Sequence, residues 1–222
     1  MSRVVAPPYG EIEIPVWVND LASFRRWVHS GVLPEKLPVH FLNGEVWVDF
    51  SMEELNSHNR VKSALGFALM RIIEDGGLGV YISDGMRYTS EPGGLSTEPD
   101  AAYISHATLE SGRVGFQSGK LGKATEMVGT PDFVIEVVSR SSVDKDTEWL
   151  FSHYWYAGIP EYWLIDARES EIDFDIYKRT AKGYTAARKT DGWAKSPVLN
   201  MEFRLTRKTP PGGIATYRLE CR

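Results

Sequence analysis

Residues 133–138 read Phe-Val-Ile-Glu-Val-Val, a run of β-branched and aromatic side chains broken by one carboxylate. Thr130-Pro131-Asp132 precede it and Ser139-Arg140-Ser141-Ser142 follow. Turn formers on both sides of such a run are the pattern of a strand buried in a core. An ionised carboxylate there costs several kcal/mol unless a partner compensates it. Two kinds of partner fit Glu136: a metal cation, or a basic side chain such as Arg140 or Lys145 just downstream.

A chain of 222 residues, 42% of them hydrophobic, holds one good core. We expect an amino-terminal extension over residues 1–19, Pro-rich and loose over 1–16, and a single domain over 20–222. The single cysteine, Cys221, excludes a disulfide framework and a Cys-based zinc site, and a reducing, cytoplasmic setting is expected. The opening "MSRVVAPPYGEIEIPVWVND" has no apolar core of a signal peptide, and no window approaches 18 uncharged apolar residues, so no membrane partner is expected. A net charge of -5 argues against non-specific coating of nucleic acid. The charge is uneven, however: residues 168–222 carry 12 Lys/Arg against 7 Asp/Glu. The acidic part suits a metal and the basic tail a polyanion, while most of these charges read as solvated surface.

Periodicity organises the rest. "VNDLASFRRWVHSG" predicts a helix capped at Asn19/Asp20 and closed by Gly31, and "VHFLNGEVWVDF" a hairpin turning at Asn43-Gly44. "SMEELNSHNRVKSALGFALMRIIEDGG" predicts a long amphipathic helix capped by Ser51, with Glu54 three residues on. Residues 105–130 read as a long polar loop. "SSVDKDTEWLFSHYWYAG" predicts a second helix, "PEYWLIDA" a buried strand, and the segments beyond it a strand meander. The expected class is α/β, a sheet flanked by helices.

"TEPDAAYIS" and "TPDFVIEVVS" share a Pro-Asp at a strand entrance. If Asp100 and Glu136 lie on neighbouring strands and point the same way, two hard oxygen ligands converge, which suits Mg²⁺ or Mn²⁺. An ion pair between Glu136 and Arg140 or Lys145 is the structural alternative. Asp146 reads as a carboxylate favoured by the start of its helix. Trp149, Tyr154, Trp155, Tyr156, Tyr162 and Trp163 read as core or dimer-interface packing rather than as a stacking platform for bases. Ser139, Ser141 and Ser142 have no His–Asp arrangement nearby and read as the turn from strand to helix.

"PDFVIEVVSRSS", "KDT" and "YAGIPEYWLIDA", preceded in order by "LNGEVWV", "SHNRVKSAL" and "EPDAAYIS", resemble the Uma2 family over roughly residues 20–180. That family belongs to the PD-(D/E)XK, restriction-endonuclease-like superfamily. The resemblance implies a restriction-endonuclease-like mixed sheet flanked by helices, metal-dependent hydrolysis of DNA phosphodiesters, and a homodimer. It assigns Asp100 and Glu136 to the motif's two acids, with the Val137 carbonyl completing a Mg²⁺ or Mn²⁺ site. Glu45 and His58 match auxiliary polar positions. The lysine departs from the pattern: Val138 stands two residues after the acid, Leu150 stands at the helical position used by many relatives, and Lys145 is the nearest substitute. A nuclease fold without catalysis, and a metal-assisted hydrolase of small phosphorylated substrates, are the rival readings.

Overall fold

The computed structural model describes residues 2–6, 10–34, 37–49, 54–118 and 123–222. Strands β1 (Ser2–Ala6) and β2 (Gly10–Ile14) pair antiparallel, so the stretch expected to be loose is largely sheet. Helix α1 (Leu21–Val28) starts as its sequence demands. The Asp20 carboxylate accepts the Ser23 N–H at 2.7 Å, and Ser23 Oγ accepts the Asp20 N–H at 3.0 Å, a reciprocal cap. Strands β3 (Val39–Leu42) and β4 (Glu45–Val48) flank Asn43 and Gly44, whose φ of 54° and 80° are those of a type I′ turn.

The long helical segment is α2 (Arg60–Met70) with π-helical turns before it (Leu55–Asn59) and after it (Arg71–Asp75). Glu54 caps it, its carboxylate accepting the N–H groups of Asn56 at 3.0 Å and Ser57 at 2.5 Å; the expected cap, Ser51, lies outside the described residues. Strands β5 (Gly79–Ser83), β6 (Arg87–Ser90), β7 (Leu95–Thr97) and β8 (Ala101–Ser105) follow. Residues 105–130 are not a loop. They hold α3 (His106–Glu110) and the antiparallel strands β9 (Val114–Ser118) and β10 (Ala124–Gly129), with residues 119–122 outside the description. Asp132 ties this segment down by accepting the Ser105 N–H at 2.6 Å and the Thr108 hydroxyl at 2.9 Å.

Strand β11 (Phe133–Val137) leads through a π-helical turn (Lys145–Trp149) into α4 (Leu150–Tyr156) and on to β12 (Glu161–Asp166). The β11–α4–β12 unit is a parallel pair joined by a helical crossover. The meander is β13 (Asp173–Thr180), β14 (Gly183–Ala186), β15 (Lys189–Thr190), β16 (Trp193–Ser196), β17 (Met201–Lys208) and β18 (Thr216–Cys221). It divides between two sheets. The central sheet has the order β14-β13-β12-β11-β8-β5, and the carboxy-terminal sheet β15-β16-β17-β18. A third sheet, β4-β3-β7-β6-β10-β9, carries α1.

Both faces of the central sheet are covered, which is why β11 reads as a continuous apolar run. Phe133, Ile135 and Val137 pack with α2 and the carboxy-terminal sheet, while Val134 packs with Leu150 and Tyr154 of α4. Period-two alternation therefore puts Glu136 on the α4 face. The aromatic residues read as core or dimer-interface packing mostly close this core: Tyr154, Tyr162 and Trp163 are buried, and only Tyr156 is strongly exposed.

Candidate functional site

Strands β8 and β11 are antiparallel neighbours, with Ala101 opposite Ile135 and Ala102 opposite Val134. Continuing that register by one residue sets Asp100 opposite Glu136, on the same face. Asp100 lies just before β8, and its carboxylate accepts the Val137 N–H at 2.7 Å. The side chain thus extends the ladder where the backbone has left it. Both acids open onto a cavity of ≈ 150 Å³, whose lining includes His58, Lys62, Asp84, Glu98, Val137, Ser142, Lys145 and Asp146. Six carboxylates and two lysines line it in all, so its field favours cations.

The two lysines are not shared evenly. Lys62 Nζ, from α2, is 3.1 Å from Asp100 and 2.5 Å from Asp84. Lys145 Nζ is 2.6 Å from Asp146 but 3.9 Å from Glu136. Asp146 also accepts the Ser142 hydroxyl at 2.5 Å. Glu136, 2% exposed, has the Tyr154 hydroxyl donating to it at 2.5 Å. Its charge is less compensated than that of half-buried Asp100 or of buried Asp146.

The proton affinities follow. Burial pushes Asp100 up, but His58 (Nε2 at 3.5 Å), Lys62 and the Val137 N–H outweigh it and hold the group at about 2. Burial pushes Glu136 well above its ordinary value; Lys145 opposes this, while the charges of Asp146 and Asp100 add to it. Burial would lower Lys145, yet Glu136 and Asp146 raise it above its ordinary value, so it stays cationic. His40, buried on β3, is pushed well below 6.5 by desolvation and by Lys145 and Arg87, and is neutral.

Of the residues singled out in the sequence, Asp100, Glu136, Val137, Lys145 and His58 meet at this cavity. Glu45 does not: it is exposed at the hairpin end of β4 and is not among the lining residues. Arg140 is exposed and lines a different cleft, so the alternative in which it compensates Glu136 is set aside. Val138 and Leu150, where the resemblance would place a lysine, are both fully buried, Leu150 among apolar side chains. Sequence reasoning missed Lys62, Asp84 and Tyr154, and gave Asp146 only a role at a helix start. One signal was available for Lys62: it lies four residues after His58, on the same side of a helix.

The donor set fits a divalent ion. Among the described residues no three His, Cys, Asp or Glu side chains form a cage by themselves. Mg²⁺ does not need one, because it takes one or two carboxylates and completes its shell with water and substrate oxygens. Asp100 supplies an ionised carboxylate, and Glu136 is a buried oxygen donor short of positive charge.

Comparison with known proteins agrees with this architecture. No curated protein matches the sequence. A solved structure described as "a putative nuclease belonging to DUF820", from Anabaena variabilis ATCC 29413, superimposes with a TM-score of 0.57 at 18% sequence identity. The match covers 82% of this chain and 90% of that one, which establishes a shared fold. The family model of Uma2, described as "Putative restriction endonuclease", matches residues 21–208, and the chain belongs to that family.

Proposed function

We propose that this protein is a Mg²⁺- or Mn²⁺-dependent endonuclease that hydrolyses DNA phosphodiesters. The observation that carries the reading is the pairing of Asp100 with Glu136 on adjacent strands, facing one cavity that also holds a half-buried, cationic lysine. Asp100, Glu136 and the Val137 carbonyl would hold the ion, which when bound lowers the pKa of a coordinated water and neutralises charge on the phosphoryl oxygens.

The chain's own groups then have definite tasks. Lys145 stays protonated, so it cannot take a proton from water. It instead supplies a fixed positive charge that donates to a non-bridging phosphate oxygen. Lys62 and His58 keep Asp100 ionised and oriented. Tyr154 fixes the rotamer of Glu136 from behind. Two lysines at the cavity make the apolar residues at positions 138 and 150 compatible with catalysis. The polyanion has a path: Arg140, Arg168 and Arg207 line a cleft of ≈ 610 Å³ that adjoins the cavity at Ser57–His58 and at Ser139–Arg140.

The test pairs calorimetric titration of Mn²⁺ with cleavage of supercoiled plasmid by wild type, Asp100→Asn and Glu136→Gln. Wild type should bind Mn²⁺ and nick plasmid, and both variants should lose both properties. Mn²⁺ binding by Glu136→Gln at wild-type affinity would overturn the site. Cleavage of a small phosphodiester ester with plasmid left intact would shift the substrate to small molecules.

A further inference from the structure

Two indoles stand on elements that line the catalytic cavity, without lining it themselves: Trp149 is half-buried and packs against the α4 core, whereas Trp47 belongs to no core cluster. Trp47 on β4 pairs across the hairpin with His40 on β3, so the two side chains rise from one face, within about 5 Å of each other. His40 lines the cavity. Trp149 comes four residues after Lys145 in the same helical segment, which puts both on one side of it, and Lys145 also lines the cavity. The rings of Trp47 and Trp149 meet edge to face, with centroids 4.1 Å apart and planes at 84°. Each ring therefore belongs to an element that places another residue inside the site.

The strand's alternation shows that Trp47 is not core. Val46 and Val48 turn inward and pack on the α1 cluster, whereas Trp47 turns the other way and is 37% exposed. Exposed indole beside a polar cavity has a natural complement in a flat, partly apolar ring carried next to a phosphodiester. That complement is a nucleobase. In a duplex both faces of a base are covered by its neighbours, so only an unpaired or extruded base can lie on an indole.

We propose that Trp47, backed edge to face by Trp149, forms a stacking site for an unpaired nucleobase next to the scissile phosphate, so that the protein prefers single-stranded or locally opened DNA. The assignment of the cavity to phosphodiester chemistry rests on the function proposed above, but the stacking can be measured without any cleavage. In EDTA, at low salt, binding is followed with a labelled single strand, the same strand with abasic sites, a duplex and a free mononucleotide. Wild type should bind the base-bearing strand more tightly than the abasic strand or the duplex, with quenching of tryptophan fluorescence, and the mononucleotide should bind least because it lacks the extended backbone.

Trp47→Ala should weaken single-strand binding by roughly tenfold while leaving abasic-strand binding unchanged. Trp47→Phe, which keeps a stacking face, should recover most of it. Trp17→Ala, at a tryptophan 48% exposed between β2 and α1, two elements that contribute no residue to the cavity, should behave as wild type. Equal affinity for base-bearing and abasic strands, or wild-type binding by Trp47→Ala, would overturn the proposal whether or not the protein cuts DNA. Base-dependent binding by a protein that cuts nothing would leave stacking in place and remove the nuclease reading alone.

Discussion

Glu136 and Glu161 lie on neighbouring strands of one sheet, on opposite faces, and are equally hidden at 2% and 0% exposure. Their surroundings differ in kind. Glu161 accepts hydrogen bonds from Trp163 Nε1 at 2.9 Å, Ser196 Oγ at 2.7 Å and the Val198 N–H at 2.8 Å. Three donors from three places saturate it and dock the carboxy-terminal sheet on the central one. Glu136 has one hydroxyl at hydrogen-bond distance and an ammonium 3.9 Å away that sits closer to another acid. A saturated buried carboxylate is a fastener, whereas an unsaturated one facing a cavity is poised to take a ligand. Position in a strand does not separate the two; the donor inventory does.

The strongest way to break that contrast is to remove the charge at Glu136. Glu136→Gln should lose Mn²⁺ binding in calorimetry and lower cleavage by more than the roughly 10–100-fold typical of an outer-shell partner. Its melting temperature in EDTA should be unchanged or higher. Lys145 keeps Asp146 at 2.6 Å, so no cation is stranded, and a desolvated charge is gone. Had Lys145 been the dedicated partner of Glu136, the same change would cost about 3–5 kcal/mol. A large fall in the melting temperature of the metal-free variant would therefore make Glu136 a second fastener and erase the distinction.

Glu161→Ala should do the reverse. It leaves three buried donors without an acceptor, at a cost of about 3 kcal/mol in total. For a chain of this length that lowers the melting temperature by roughly 6–12 °C. Mn²⁺ affinity and cleavage per folded molecule should stay at wild-type values, read below the new transition. Loss of metal binding in the folded variant would show that the fastener on one face of the sheet also sets the geometry of the other.

The same contrast explains what the sequence could convey. Asp100, Glu136 and Lys145 were legible because each breaks a local expectation: a carboxylate at a strand entrance, one inside an apolar run, a lysine at a helix start. Tyr154 was not legible. Its ring lies on the buried side of α4 and looks like any core aromatic, and only the fold brings its hydroxyl to Glu136, 18 residues upstream. Asp146 looked like a helix-start acid because nothing local shows that Tyr162, Ser142 and Lys145 close over that turn. The order of the sheets was hidden for a similar reason. The meander pattern gives antiparallel neighbours but not the break between β14 and β15 that sends the last four strands to a separate sheet.

The smallest expected effect sharpens the comparison with a third buried acid. Glu126, on β10, is 0% exposed and is held by charge: Arg25 Nε and Nη2 donate to it at 2.8 Å each, and His29 Nε2 lies 3.1 Å away. Burial raises its proton affinity, but Arg25 outweighs it, and the group falls below the ordinary 4.5. Glu161 has only neutral donors, and burial wins, so it rises above 4.5. The two acids must then respond to pH with opposite signs. A depressed carboxylate gives stability that is present above its unfolded value and lost as the pH falls through its folded one, so the Glu126 contribution disappears on acidification below about 4.5. A raised carboxyl gives stability that is present below about 4.5 and lost as the pH rises through its folded value, so the Glu161 contribution fades in the window just above. Thermal melts from pH 3 to 7 of wild type, Arg25→Gln and Glu161→Gln read both. Arg25→Gln should flatten the acid limb alone, because it removes the charge that depresses Glu126. Glu161→Gln should flatten the slope just above pH 4.5 and leave the acid limb as it is. An acid limb unchanged in Arg25→Gln would mean that the guanidinium holds α1 on its sheet without setting the proton affinity of Glu126, and that donor count rather than charge governs all three sites.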